Sequence, residues 1–422
     1  MISYVESEVA WLGEIPSHWP VMPSKRLFSN PRDSSHPEDV QLTPSQKFGV
    51  LTQDDYMETS GSRVVISLSE VDTMKHVEPG DFISHLRSFQ GGLEYSTLRG
   101  KISGAYTVLR PSRELHAEYF KYLFKSTMYV QALQTTTDQL RDGQSIKYAE
   151  FGLLPLPFPP IEEQKRISSF LDEELMKIDA LVLKNTKLLA LLTERRKTCI
   201  EMRIRGHIDG QSRAYKKPTS WLSDVPESWL RGPLKWYARF QTGATPEGAE
   251  FSESDGFPWL RPDDLDVSGN PSRASRFIDI SGPKGLPQAS AGSLLMCCIG
   301  ATLGKVGILD DTVTFNQQIT SITSKRLDPR FLFYALTAAY EELQSISVGN
   351  TLNILNNARL GTVRVPVPTL EEQLRIVQIL DEETSQIDAL VARVEELQSS
   401  LGNRREVLIS EAVLGHFLEG AA

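Results

Sequence analysis

The stretch PFPPIEEQKRISSFLDEELMKIDALV, Pro157 to Val182, returns as PVPTLEEQLRIVQILDEETSQIDALV, Pro366 to Val391. The register, an offset of 209, holds without a gap as far as His207 and His416, and nearly half of the paired positions are identical. A second echo lies upstream of each copy. Trp11-Leu12-Gly13-Glu14-Ile15-Pro16-Ser17-His18-Trp19 answers Trp221-Leu222-Ser223-Asp224-Val225-Pro226-Glu227-Ser228-Trp229. The chain therefore runs as a variable block and a helical block, twice. A duplication of this period governs the whole architecture. It implies an internal pseudo-two-fold repeat, which suits a target with two halves.

The repeated blocks read as long helices. Thr369 and Glu372 form a capping box, with Pro368 just outside. In the first copy Pro160 takes the place of Thr369, and Glu162 and Glu163 occupy the first turn, where carboxylates suit the helix dipole. Apolar residues then recur at steps of three and four. In copy one they are Ile178, Leu181, Leu188, Leu192 and Cys199, with Asn185 and Arg195 on the same stripe. In copy two they are Ile387, Leu390, Val394, Leu397, Leu401 and Leu408. This spacing predicts a heptad seam. Two equivalent helices separated by a globular block pair most simply antiparallel. Asn185 at a core position either sets register or faces solvent at a frayed point.

Each helix is expected to cover about 44 residues, so about 65 Å at 1.5 Å per residue. That length corresponds to roughly twenty base pairs at about 3.4 Å each. A pair of this length is expected to hold the two blocks at opposite ends and to act as a ruler; the alternative from periodicity alone is a scaffold or dimerisation coil. His207 and His416 each follow a Gly just past a helix end, which points to a C-cap rather than to catalysis.

The blocks between are of mixed α/β character. Residues 62–71, 80–84, 102–110 and 293–300 carry strand-like runs bounded by Gly, Pro, Asp and Ser. A helical stretch is expected late in each block, from Glu118 to Thr135 and from Pro329 to Gln344. Short strand-like runs lead to Pro157 and Pro366, and Gly152 matches Gly361 at the same offset. The expected domains are 1–156 and 208–365 as globular blocks, with 157–207 and 366–422 as helical regions. A duplicated scaffold with divergent loops is what recognition modules need.

Composition bounds the function. The chain has 422 residues, 40% hydrophobic and 23% charged, a globular balance. No apolar run reaches the roughly 18 residues of a membrane span. The start, MISYVESEVAW, lacks the basic and apolar regions of a secretory signal, so a cytoplasmic address is expected. Three cysteines, Cys199, Cys297 and Cys298, make neither a disulfide framework nor a zinc site. A net charge of −9 is unlike a simple nucleic-acid binder, so any DNA contact would need clustered basic loops or basic partners.

Further motifs carry a resemblance. They are the two W-L-x-x-x-P-x-x-W openings, Thr242-Gly243-Ala244-Thr245-Pro246, Phe257-Pro258-Trp259-Leu260-Arg261, Ile299-Gly300-Ala301-Thr302-Leu303-Gly304-Lys305 and Asn316-Gln317-Gln318-Ile319. Block one carries Gly80-Asp81-Phe82-Ile83, Arg87-Ser88-Phe89-Gln90-Gly91-Gly92 and Ser103-Gly104-Ala105-Tyr106-Thr107-Val108-Leu109-Arg110-Pro111. With the P-x-P-x-x-E-E-Q-x-R-I helix openings, this combination resembles the DNA specificity (S) subunit of type I restriction-modification systems, across essentially the whole chain. The resemblance implies two target recognition domains, each reading one half of a bipartite site in double-stranded DNA. It implies that the helices set the spacer and dock two methylation (M) subunits, with restriction (R) subunits joining through that core. S-adenosylmethionine, ATP and magnesium are then expected on those partners, and neither a cofactor nor a catalytic residue on this chain.

The residues agree with that expectation. No Asn/Asp-Pro-Pro-aromatic methyltransferase motif is present; Leu156-Pro157-Phe158-Pro159-Pro160 lacks the leading acid or amide. Gly300 to Val306 approaches a P-loop but has three residues between its glycines and Val306 in place of Ser/Thr; a close-packed turn is expected there. Pro262-Asp263-Asp264-Leu265 reads as a loop with a helix cap rather than a nuclease acid pair. Base edges are read by Arg, Lys, Asn and Gln. The candidates are Arg87, Gln90, Lys101, Arg141, Gln144 and Lys147 in block one, and Arg261, Lys284, Lys305, Asn350 and Asn353 in block two. For each, the competing use is a solvated charge, a turn amide or a phosphate contact. Three other readings compete at the level of function: the specificity subunit of a type IIB-like enzyme, a methyltransferase or nuclease in its own right, and a coiled-coil structural adaptor.

Overall fold

A computed structural model describes residues 3–62, 73–85, 91–136, 146–208, 221–222, 224–246, 251–278, 285–349 and 352–419. Two helices of 44 residues dominate it, Ile161–Ile204 and Leu370–Val413. The chain divides into two compact units: unit 1 is Met1–Lys184 with Leu397–Ala422, and unit 2 is Asn185–Glu396. Each globular block thus folds together with part of each long helix.

The helix starts are capped as the sequence requires. The Thr369 N–H donates to Glu372 Oε2 at 2.8 Å, and the Glu372 N–H returns to Thr369 Oγ1 at 3.3 Å. Each helix ends on a glycine with positive φ, Gly206 at +89° and Gly415 at +82°. A Cβ on Gly206 would meet Pro226 at 2.7 Å, and one on Gly415 would meet Pro16 and Trp19 at 2.8 Å. Each helix end is therefore clamped by a tryptophan opening.

The two parts run antiparallel within each unit, and the duplication repeats their contacts. Arg405 reaches Asp179 at 2.5 Å in unit 1. Arg196 reaches Asp388 at 2.9 Å in unit 2. These are the same pair under the repeat offset, since Asp179 answers Asp388 and Arg196 answers Arg405. The seam differs from the expected stripe. Ile178, Leu192, Ile387, Val394 and Leu401 are buried, but Leu181, Leu188, Leu390 and Leu397 are 45%, 42%, 47% and 50% exposed. The inward stripe steps by four then three, through Leu171, Leu175, Ile178, Val182 and Asn185, and in the second helix through Leu380, Thr384, Ile387, Val391 and Val394. Leu181 and Val182 are both apolar, so periodicity does not choose between them. The packing does: Val182 is half-buried and Leu181 is exposed, with the exposed Asp179–Arg405 pair one turn away. Arg195 is exposed, Cys199 and Leu408 are half-buried, and Asn185 is buried with its Nδ2 unpartnered.

The two blocks share one sheet plan. In unit 1 the order is Phe28–Ser29, Thr107–Pro111, Phe82–Ser84, Glu94–Tyr95; in unit 2 it is Ala238–Thr242, Ile319–Ser324, Leu294–Cys297, Val306–Ile308. All neighbours are antiparallel. Unit 2 adds a five-stranded sheet in which Phe257–Leu260 lies parallel to Val313–Phe315. The helical stretch after each sheet breaks in two: Ala117–Leu123 and Thr127–Thr135, then Pro329–Ala338 and Tyr340–Ser345. In unit 1 Ser126 makes the break, its hydroxyl capping the second piece on the Tyr129 N–H at 3.3 Å. The strand expected at 62–71 lies almost wholly outside the described residues.

The repeated E-E-Q triplet ties block to helix. Trp19 Nε1 donates to Glu163 Oε2 at 2.6 Å, and Trp229 Nε1 to Glu372 Oε1 at 3.0 Å. Gln164 accepts from the His116 N–H at 2.8 Å, and Gln373 from the Asp328 N–H at 2.7 Å. Aromatic cores close around these ties: Phe28 packs edge-on against Phe82 and Phe120 in unit 1, and Phe331, Leu332 and Phe333 are fully buried in unit 2.

Candidate nucleic-acid interface

At one end of the four-stranded sheet in unit 2, the four motif stretches of that block meet. Gly304 follows the strand Leu294–Cys297 and returns its N–H to Cys297 O at 2.9 Å. Its φ of +89° and the nearby Tyr340 ring, 2.9 Å from a Cβ there, account for that glycine as a close-packed turn. Thr302 Oγ1 lies 3.1 Å from Cys297 Sγ. The Gly300 N–H donates to Asn353 O at 3.0 Å, and the Cys298 N–H to Gln318 O at 2.7 Å. Asn316 turns its own loop, accepting the Gln318 N–H at 2.8 Å, and its N–H donates to Leu260 O at 3.0 Å. Trp259 Nε1 donates to Ala244 O at 3.1 Å, and Thr245 Oγ1 is bonded to Gln317 Oε1.

Three of the candidate base readers join this cluster. Lys305 Nζ donates to Pro262 O at 2.9 Å, which places its ammonium beside Arg261. Arg261 is half-buried, with Nη2 on Ser275 Oγ at 3.0 Å, and its buried Nε makes no hydrogen bond but lies 3.9 Å from Asp264 Oδ2. Its N–H is capped by Asp264 Oδ2 at 2.7 Å, which settles Pro262–Asp264 as a capped turn. Asn353 is exposed and holds Gly300 through its carbonyl, leaving the amide outward. Lys305, Arg261 and Gln317 each spend part of their polar capacity on neighbours, and the Asn353 side chain makes no hydrogen bond among the described residues. Thr245, Gln317 and Asn357 were not among the sequence candidates. Asn357 Nδ2 donates to Thr242 Oγ1 at 3.0 Å and its Oδ1 accepts from Thr320 at 3.1 Å, stitching the loop ends together. Gln317 could have been found from the Asn-Gln-Gln-Ile stretch; Asn357 had no local signal, because its partners are 37 and 115 residues away.

Unit 1 places Lys101 on the strand Gly100–Ile102, which pairs with Lys75–Val77. Lys147 is exposed before the short helix Tyr148–Phe151, its N–H on Glu150 Oε2 at 2.8 Å. The structure does not bring these two side chains into one described contact. Arg87, Gln90, Arg141, Gln144, Lys284 and Asn350 lie outside the described residues. Beside Lys101, His76 is buried between Asp39 and Glu78, with ring nitrogens 2.7 Å from each carboxylate. Burial alone would lower its pKa, but the hydrogen bonds and charges of Glu78 and Asp39 outweigh that and raise it. Among the described residues no group of His, Cys, Asp and Glu is placed to hold a metal ion. No helix among them is long and apolar enough to cross a membrane.

A rigid cluster of exposed amide, hydroxyl and guanidinium groups, with no assembled nucleophile or acid–base pair, is suited to reading polar edges. Residues 227–398 match the family model described as type I restriction modification DNA specificity domain. Over these residues, under half of the chain, it is similar to that family. The match spans the loop cluster, and the repeat extends the same plan to unit 1. The chain is 22% identical over 395 residues to the chain assigned as the type I restriction enzyme MjaX specificity subunit in Methanocaldococcus jannaschii, covering 87% of each. It is 26% identical over 243 residues to the MjaVIII specificity subunit of the same organism, covering 54% of this chain and 55% of that one. In fold it is similar to a solved chain described under complex assembly and conformational transition of the type I R-M system. That likeness has a TM-score of 0.67 at 18% identity, over 95% of this chain and 99% of the other. The HsdS subunit from Thermoanaerobacter tengcongensis matches with a TM-score of 0.50 at 19% identity, over 95% and 98%.

Proposed function

We propose that this chain reads a bipartite target in double-stranded DNA, one half per unit, within a complex whose other subunits methylate and restrict. The observation that carries the reading is the repeat of one sheet plan and one set of helix ties in both units, beside loops that differ. A common frame with different loops yields two recognition sequences held in one arrangement. The domains are then 1–156 and 208–365 as target recognition domains, with 157–207 and 366–422 as the shared helical regions. Arg261, Lys305 and Asn353 are the base-reading candidates that geometry gathers, with Gln317 added. Lys101 and Lys147 serve the first half-site.

Two M subunits and the R subunits complete the complex on this reading. They bring S-adenosylmethionine, ATP and magnesium, and this chain brings the address. The exposed leucines Leu181, Leu188, Leu390 and Leu397 recur at the repeat offset, so the outer helix surface offers the same pair of apolar side chains twice. That favours a partner present in two copies. The complex works in the cytoplasm, where the DNA is.

The test is genome-wide mapping of methylated adenine in cells expressing the chain with its methylation subunit, with and without a stop codon in this gene. A motif of two defined halves around an undefined spacer, lost with the stop codon, is expected. Exchanging residues 1–156 for the corresponding block of a relative is expected to change one half only. Change in both halves would refute one-unit, one-half recognition.

A further inference from the structure

The end of the unit 2 sheet opposite the loop cluster carries positive charge without counter-charge. The segments Leu230–Thr242, Ile319–Leu327 and Asn353–Val367, which run between this end and the loop cluster, hold seven Lys and Arg and no Asp or Glu. The fold brings them together. Ala238–Thr242 pairs with Ile319–Ser324, and Leu230–Pro233 with Arg364–Val367. The Lys325 N–H donates to Tyr237 O at 2.8 Å, and the Lys235 N–H to Gly361 O at 3.1 Å. Arg239 stands opposite Thr323, so Arg239 and Lys325 lie on one face of the sheet as diagonal neighbours.

Lys235, Arg239, Lys325 and Arg326 are all exposed, and none makes a side-chain hydrogen bond or ion pair among the described residues. Trp236, 62% exposed, lies beside Lys235. Other cations of the same unit are neutralised: Arg273 by Asp310 at 2.6 Å, Arg330 by Asp381 at 2.7 Å and Arg196 by Asp388 at 2.9 Å. In a chain of net charge −9, exposed cations on segments that hold no carboxylate suit a polyanion. Unit 1 keeps the corresponding position charged: Lys25 answers Lys235, and Lys25 and Arg26 are exposed.

We infer that this face, on the reading of unit 2 as a half-site reader, grips the phosphate backbone of the duplex whose bases the loop cluster meets. The two ends are joined by the same strands. Thr320, at the cluster, and Lys325 are five residues apart, about 17 Å at 3.4 Å per residue. The gripped phosphates are then roughly five base pairs from the bases read, at about 3.4 Å per base pair. Such contacts position the duplex and carry no sequence information themselves.

The test uses the full chain assembled with its methylation partner and duplexes of about 60 base pairs, one carrying the mapped methylation motif and one lacking it. Affinity is measured across salt concentration for the wild type, for Lys235→Gln/Arg239→Gln/Lys325→Gln/Arg326→Gln, and for Arg273→Gln as a control within an ion pair. Each phosphate no longer neutralised is expected to take about 0.9 off the slope of log affinity against log salt. For the quadruple variant the slope should therefore be shallower by up to about 3.6. The preference for the motif duplex should be unchanged, and Arg273→Gln should behave like wild type. The four single variants, each freeing about one phosphate, carry the test if the combined one fails to unfold cooperatively. An unchanged slope in a wild type that binds overturns the proposal, as does a loss of discrimination at constant slope. Absence of binding by the wild-type complex overturns the half-site reading beneath it.

Discussion

Cys199 and Glu383 meet on facing turns of the two long helices in unit 2, with the thiol donating to the carboxylate at 2.7 Å. Burial, then that hydrogen bond, pushes the Cys199 thiol up to about 12, and burial pushes Cys298 up to about 11. Neither is a thiolate at pH 8. Both are expected to resist iodoacetamide in the folded chain at that pH and to react once it is unfolded, which peptide mass spectrometry would read. Rapid alkylation of native Cys199 would mean that the Glu383 contact does not form. His76 carries the opposite sign of pH dependence from the acids beside it. Its pKa is raised above the ordinary 6.5, so its contribution to stability is complete below pH 6.5 and is lost as pH rises through the folded value. Asp39 is lowered from 3.8 despite burial, by His36 and His76, so its contribution is lost only below that value. The thermal midpoint of the wild type is expected to fall between pH 6.5 and 8 by more than that of His76→Gln. Equal slopes would show that folding leaves the pKa of the histidine unshifted.

At the scale of elements, the long helices show how a heptad can be placed one position out. Ile178, Asn185 and Leu192 belong to both the expected and the observed stripe, and Leu181 and Leu188 only to the expected one. Apolar character alone does not distinguish the two stripes, and the exposed ion pair that accompanies the observed one joins residues 226 apart in sequence. Asn185 stays in the seam with a buried, unpartnered amide, where the repeat has Val394. An unpaired buried amide costs roughly 1–3 kcal/mol. Asn185→Val is expected to stabilise the chain by about 1–2 kcal/mol in denaturant unfolding. A loss of stability would mean that the amide has a partner in solution. Its retention against that cost is consistent with a role in register.

At the scale of the molecule, each long helix contributes part of its length to each unit, with the divisions at Lys184 and Asn185 and at Glu396 and Leu397. Inserting seven residues at each division keeps the inward stripe in phase. It adds about 10.5 Å of helix, or about three base pairs. The methylation motif is expected to keep both halves and gain about three positions between them; an unchanged spacer would sink the idea that the helices measure it. The sequence by itself determined the duplication, the two long helices with their caps, and the resemblance to a family. Repeat spacing, helix periodicity and motif identity are local properties, and each survives in a one-dimensional string. Only the tertiary structure decided that the E-E-Q triplets hold tryptophans and backbone amides of their own block. Only it placed Val182 rather than Leu181 in the seam, and gathered Arg261, Lys305, Asn353 and Gln317 at one end of a sheet with uncompensated cations at the other. Those facts rest on pairings across tens to hundreds of residues, where the partner's position, not the residue's type, settles what a side chain does.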